Sequence, residues 1–178
     1  MNIAVVGTGY VGLVSGTCFA ESGNEVICVD INRERVAQLQ AGKVPIYEPG
    51  LEELVRRNVK EGRLSFTTDL EPAVGQSMVS FLAVGTPMSD SGAADLSQVF
   101  RVAEQVAKAT IGYHIIVIKS TVPVGTNDRV RAIVENHGNR RIDVCSVPEF
   151  LKEGSAVEDF MRPDRVVLGS TSEQATAI

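Results

Sequence analysis

The sequence predicts an α/β fold: a doubly wound, mainly parallel sheet with helices on both faces. Three observations predict it. Short apolar runs of strand length alternate with helical patterns along the whole chain. The first run passes directly into a glycine-rich turn that opens a helix, and the second run ends on an acidic residue. Segments rich in glycine and polar side chains recur just after the strand-like runs, where open parallel sheets gather their ligands.

Ile3-Ala4-Val5-Val6 is a buried-strand pattern closed by Gly7, and a small-residue helix is expected from about Val11 to Ser22. Gly23-Asn24 makes a turn into a second strand, Glu25 to Asp30. Asn32 is placed to cap a helix that turns Val36 and Leu39 inward and stops near Gly42. Pro45 to Gly50 reads as a rigid connector. Leu51, Leu54, Val55 and Val59 then have helical spacing, with Gly62 past the end. Arg63 to Thr67, Met78 to Val84, Ile115 to Ile118, Ile142 to Val147 and Arg165 to Leu168 are the remaining expected strands. Val99, Val102, Ala103 and Val106 mark one intervening helix face, and Val130, Ile133 and Val134 another. Ser170 to Ile178 predicts no terminal element.

The 178 residues suffice for one well-buried domain and not for two of full size. A net charge of −5 argues against nucleic acid as the main partner, since phosphate backbones require a basic face. No secretory signal pattern opens the chain, and no apolar run approaches the ~18–20 residues of a membrane helix. Cys18, Cys28 and Cys145 are far apart, form no C-x-x-C pair, and are expected to be reduced core residues. No metal site is expected, and a reducing cytoplasm is the expected location.

Gly7-Thr8-Gly9-Tyr10-Val11-Gly12 fits G-x-G-x-x-G, and Asp30 closes the next strand 18 positions after Gly12. Gly7 permits the tight turn, Gly9 lets backbone approach a pyrophosphate, and Gly12 lets the helix pack closely on the strand. The amides and dipole of the helix N-terminus then face the phosphates. Asp30 can accept hydrogen bonds from both ribose hydroxyls and would repel a 2′-phosphate, which favours NAD over NADP. Arg33 and Arg35 lie close enough to complicate that choice. The context is that of a Rossmann-type dinucleotide site.

Three further segments fall at strand ends. Gly85-Thr86-Pro87 and the polar stretch to Asp95 read either as a ligand loop or as a mobile crossover. Lys119-Ser120-Thr121 carries three polar side chains out of a buried strand, which favours a ligand role for Thr121 and a helix-capping role for Thr126. Glu149 and Glu153 are four apart, so a helical turn would set both carboxylates on one face for acid–base work. Taken alone, that segment reads as a solvated surface turn.

Five stretches together resemble the UDP-glucose 6-dehydrogenase family of nucleotide-sugar dehydrogenases: Ile3–Leu13, Tyr47–Leu54, Ala83–Pro87 with Gly92–Ser97, Lys119–Thr126, and Pro148–Gly169. They run in family order through nearly the whole chain. The resemblance implies oxidation of UDP-glucose to UDP-glucuronate, a polysaccharide precursor, with two NAD⁺ and a cysteine thioester. It assigns Gly7, Gly9, Tyr10, Val11, Gly12, Asp30, Arg35, Thr86, Thr121 and Glu153 to NAD. Glu149, assisted by Thr121, would serve the acid–base steps, and Glu149, Phe150, Leu151, Lys152 and Glu153 would line the sugar-nucleotide site.

Residues 1–178 then correspond to the N-terminal NAD-binding domain. The central dimerisation helix, the nucleophilic cysteine in its G-G-x-C segment, and the C-terminal UDP-binding domain are expected downstream, in a protein that forms a homodimer or higher oligomer. The domain alone is expected to bind NAD without turnover. Cys145, lacking any G-G-x-C context or basic neighbour, is not the nucleophile. Val147 stands where the family usually has Asn, a change in polarity beside the sugar site. Two alternatives stay open: a dehydrogenase for another nucleotide sugar, such as GDP-mannose or a UDP-amino sugar, and an NAD-binding module without chemistry.

Overall fold

A computed structural model describes residues 1–137 and 141–178. Its elements in chain order are β1 (Asn2–Val6), α1 (Tyr10–Glu21), β2 (Glu25–Val29), α2 (Arg33–Gln40), α3 (Leu51–Lys60), β3 (Leu64–Thr67) and α4 (Leu70–Gly75). There follow β4 (Val79–Leu82), α5 (Ser97–Ala109), β5 (His114–Ile118), α6 (Thr126–Asn136), β6 (Ile142–Ser146), α7 (Ala156–Met161) and α8 (Glu173–Ala177). The six strands form one sheet in the order β3-β2-β1-β4-β5-β6, and every neighbouring pair is parallel.

Strand alternation divides the core between the two faces. Ile3, Val5, Val26 and Cys28 pack with Leu13 and Val14 of α1, Val36 and Leu39 of α2, and Leu51 and Val55 of α3. Val6, Leu82, Ile116 and Ile118 pack on the other face with Val74 of α4, Val99 and Val106 of α5, and Val130 and Val134 of α6. The β1–β4 seam is where the strand order reverses, so the carboxyl ends of β1 and β4 diverge into loops that leave a crevice between them.

Most expected elements are present within a residue or two at their ends, and three differences have physical causes. Val59 is 36% exposed, and Asn58 takes the inward position. Residues 51, 55 and 58 form the buried stripe, and Asn58 is tolerated there because its amide donates to Glu21 Oε2 and Leu54 O and accepts from Arg63. The β-branched run Arg165 to Leu168 is not a strand: Val166 is 69% exposed, and pairing with β6 is confined to an antiparallel bridge between Gly169 and Ser146. Apolar content alone does not make a strand where no neighbouring ladder receives it. The C-terminal segment does contain an element: Ser172 caps α8 by accepting from Ala175 N–H, and donates to Asp143, which also accepts from Tyr113. Short α4 and α7 are further elements that the sequence pattern does not predict.

Among the described residues no helix is long and apolar enough to cross a membrane, and no group of three or more His, Cys, Asp or Glu side chains could hold a metal ion. Cys18, Cys28 and Cys145 are all buried free thiols. Burial pushes the pKa of Cys18 and Cys28 up to about 12, which leaves both unreactive at neutral pH.

Two predictions follow from the packing. A Cβ on Gly12 would lie 1.9 Å from the Gly7 carbonyl oxygen, so Gly12→Ala is expected to cost about 3 kcal/mol or more in urea unfolding. Burial lowers the pKa of His114, whose Nε2 meets Ser80 Oγ at 2.8 Å, from 6.5 to about 4. The folded state therefore declines a proton that the unfolded state accepts. Stability is whole above pH 6.5 and falls by about 3 kcal/mol as pH drops towards 4. Urea midpoints across that range should flatten in His114→Gln; an unchanged slope would assign the loss to other groups.

Candidate coenzyme and substrate site

The site begins where β1 ends. Gly7 donates its N–H to Val29 O and turns the chain with a φ of +101°, a conformation open to glycine. The turn brings Gly7 against the end of β4, where a side chain would collide with the Ala83 carbonyl. Gly9 is the N-cap of α1 and differs in kind. A Cβ there would meet nothing within 4 Å, so its surroundings are open space beyond the helix terminus. The first turn of α1 contains no acidic residue, and Gly9 offers no capping side chain. Its leading amides therefore keep both their hydrogen-bonding capacity and the positive end of the helix dipole.

Asp30 sits just past β2 and is only 9% exposed. Its Oδ2 accepts from Thr8 N–H (2.8 Å), Thr8 Oγ1 (2.7 Å) and Arg35 Nη1 (3.3 Å), and its Oδ1 accepts from Asn32 N–H (2.9 Å). Burial pushes the carboxyl pKa up, but the bonds from Thr8 and Asn32 and the Arg35 charge outweigh it and hold the group below the ordinary Asp value. Oδ2 is filled from within the chain, so Oδ1 is the oxygen with spare capacity for a ribose hydroxyl. Thr8, an unspecified position of the G-x-G-x-x-G pattern, is buried, and its two bonds tie the glycine turn to Asp30. Arg35 lies within reach of the same carboxylate as expected, and its side chain is 39% exposed.

The β4 and β5 ends are stitched together. Ser120 Oγ donates to Leu82 O and Val84 O, and Thr86 Oγ1 donates to Thr121 O at 3.0 Å. Thr121 itself is exposed at the binding edge. The stretch after Pro87 is neither open nor unpaired: Met88 bridges Ala94, and Ser89 N–H bonds Ala93 O, closing a small hairpin. Thr126 does not cap α6 with its side chain. Gly125 is the N-cap, and the Thr126 hydroxyl donates instead to Pro123 O at 2.7 Å.

Beyond β6, residues 147–152 have no regular structure, so Glu149 and Glu153 do not share a helical face. Glu149 Oε2 accepts from Leu151 N–H at 2.7 Å, a local turn that fixes the carboxylate. Lys119 is 5% exposed, with its ammonium 3.5 Å from Val147 O and over the Phe160 ring. Burial lowers its pKa, and the nearby Glu149 carboxylate partly restores it. Val147 joins the site through its backbone, donating to Ile118 O. Leu151 packs on the α1-side core, Phe150 is half exposed beneath Arg165, and Lys152 and Glu153 are exposed. A groove of about 490 Å³ opens beside them, lined by Phe150, Lys152, Asp159, Arg162 and Arg165.

Glycine loop, open helix terminus and Asp30 Oδ1 together fit a dinucleotide laid across the β1–β4 crevice. The comparisons agree. The model of the UDP-glucose/GDP-mannose dehydrogenase family, NAD binding domain, matches residues 1–178. UDP-glucose 6-dehydrogenase TuaD of Bacillus subtilis is 53% identical over 179 residues, covering 99% of this chain and 39% of that protein. The structure of a UDP-glucose dehydrogenase from Pyrobaculum islandicum superposes with a TM-score of 0.93 at 44% identity, over 98% of this chain and 42% of that one. A ternary complex of GDP-mannose dehydrogenase from Pseudomonas aeruginosa gives a TM-score of 0.96 at 37% identity, over 99% of this chain and 42% of that one. The chain thus spans about two fifths of the length of these relatives. It belongs to the UDP-glucose/GDP-mannose dehydrogenase family, as that family's NAD-binding domain.

Proposed function

We propose that residues 1–178 are the coenzyme domain of a UDP-glucose 6-dehydrogenase. The observation that carries the reading is convergence: the glycine loop, Asp30, Thr86, Thr121 and Glu149 all lie at the carboxyl edge of one parallel sheet. The 53% identity to a UDP-glucose 6-dehydrogenase favours UDP-glucose over GDP-mannose or a UDP-amino sugar. The whole protein would take the C6 alcohol to a carboxylate, a four-electron oxidation that needs two hydride acceptors and one water. NAD⁺, when bound, supplies the hydride-accepting nicotinamide.

In this reading the amides of Tyr10 and Val11 hold the pyrophosphate at the α1 terminus, with Gly7, Gly9 and Gly12 giving it room. Asp30 receives the ribose through Oδ1, and Arg35 beside it balances the charge. Thr86, Thr121 and Glu153 border the nicotinamide end. Glu149, already fixed by the Leu151 amide and facing the buried Lys119 charge, exchanges protons with the substrate or its water, with Thr121 as hydrogen-bonding partner. Phe150, Leu151, Lys152 and Glu153 form the wall against the sugar nucleotide. The nucleophilic thiol, the dimerisation helix and the UDP-binding domain belong to the remainder of a longer, oligomeric protein, working in a reducing cytoplasm where the three buried thiols stay reduced.

The coenzyme site can be tested without turnover. The 178-residue chain should quench or shift NADH fluorescence on titration. Gly9→Val, whose side chain enters open space, should keep unfolding stability within about 0.5 kcal/mol while reducing NADH affinity at least about tenfold. Unchanged NADH affinity in that variant would remove the pyrophosphate from the α1 terminus. For the chemistry, Glu149→Gln in the longer protein should lower kcat about 10²-fold or more with little change in KM. Substrate profiling of that protein with UDP-glucose, GDP-mannose and a UDP-amino sugar decides the sugar; preference for either of the latter would overturn UDP-glucose.

A further inference from the structure

Glu48 lies in the Pro45 to Gly50 connector, outside every segment assigned to chemistry. It is nonetheless 5% exposed. Burying a carboxylate is expensive unless every lone pair is used. Here the donors are neutral and come from two distant parts of the chain. Oε2 accepts from Tyr10 Oη and from Gly154 N–H at 2.8 Å, and Oε1 accepts from Ala156 N–H at 2.8 Å. Tyr10 is the first residue of α1, inside the glycine motif, and residues 154–157 end the wall segment and begin α7.

The wall segment needs such a fixture. Phe150 to Glu153 has no regular structure of its own. One end is held by the backbone pairing of Val147 with Ile118, and the other turns at Gly154 with a φ of +92° before entering α7. The Glu48 carboxylate is what ties that second end to the coenzyme loop, through a single oxygen shared by Tyr10 and Gly154. Leu at position 48 could fill the space but accepts nothing, and Gln could serve Tyr10 and Gly154 through its one oxygen only by setting its NH₂ against the Ala156 N–H.

We propose that Glu48 is a positioning residue that fixes the 150–154 wall against the glycine loop, so that coenzyme and substrate halves of the site are held in one geometry. The inference rests on the reading that this segment faces the sugar nucleotide, but its immediate consequence concerns only NADH and the backbone. It therefore stands or falls separately from the identity of the sugar.

Glu48→Gln provides the test at nearly constant volume, because its NH₂ must face an N–H donor whichever way the amide is turned. In the 178-residue chain, amide exchange at Gly154 or Ala156 should accelerate at least about tenfold, while amides of β1 and β5 keep their protection. NADH affinity should fall about three- to tenfold in Glu48→Gln and in Tyr10→Phe. The double variant should show no further loss, since Glu48 acts on the loop through Tyr10. Tyr10→Phe leaves the backbone arms intact and serves if Glu48→Gln fails to fold. It should then lower NADH affinity with protection at 154 and 156 unchanged. Wild-type protection at both amides, or NADH affinity unchanged in either single variant, would overturn the proposal. So would losses that add in the double variant.

Discussion

Where α1 meets β1, a side chain on Gly12 would collide with the Gly7 carbonyl, so helix and strand approach more closely than any other residue would permit. That approach sets the depth of the α1 terminus in the crevice and, with it, the place where an anion can be held. It also presses the turn against Ala83 at the end of β4, which aligns the loop leading to Thr86. Thr8, between the two turn glycines, is delivered to Asp30. One close contact thus orders three groups that a dinucleotide would touch.

The rest of the edge is assembled by polar bonds between strand ends rather than by packing. Ser120 joins β5 to β4, Thr86 joins the same two loops from the other side, and Lys119 donates to Val147 O, linking β5 to the post-β6 segment. Polar groups so placed have few partners in the apolar sheet beneath, which makes them available for each other and for a ligand. The charges are arranged with some economy: two buried carboxylates held below their ordinary pKa, Asp30 and Glu48, each act as a hub for backbone and hydroxyl donors. Both hubs are present above pH 4.5 and are lost on acidification.

What could be read from the sequence was whatever is encoded locally. β1, β2 and β5 are largely buried on both faces and so appear as continuous apolar runs, β4 and β6 are apolar apart from Ser80, Asp143 and Ser146, and the glycine loop with Asp30 is a pattern of fixed spacing. The family resemblance extended that reading to Thr86, Thr121 and Glu149, which periodicity alone left ambiguous. The misses are non-local. Glu48 lies in the family-like stretch Tyr47–Leu54, yet its role is hidden in sequence because its partners lie 38 and 106 residues away. Thr8 is an unspecified position of the glycine motif. Residues 165–168 have strand composition but no strand to pair with, and α8 is a run of small residues whose stability comes from Ser172, Asp143 and Tyr113.

The β1–β4 seam also poses a kinetic problem. Ile3 pairs with Val79, so the centre of the sheet joins segments separated by most of the first half of the chain. Parallel pairings of this kind must close a long loop before they return any contact energy, which makes them slow steps in folding. Strands β1 to β3 pair with one another and β4 to β6 with one another, and the β1–β4 ladder joins the two sets. A dinucleotide lying across the crevice would touch both groups and bind only when they are docked. By mass action its binding energy would be added to that docking, so abundant coenzyme in the cell would favour completion of the fold as well as filling the site.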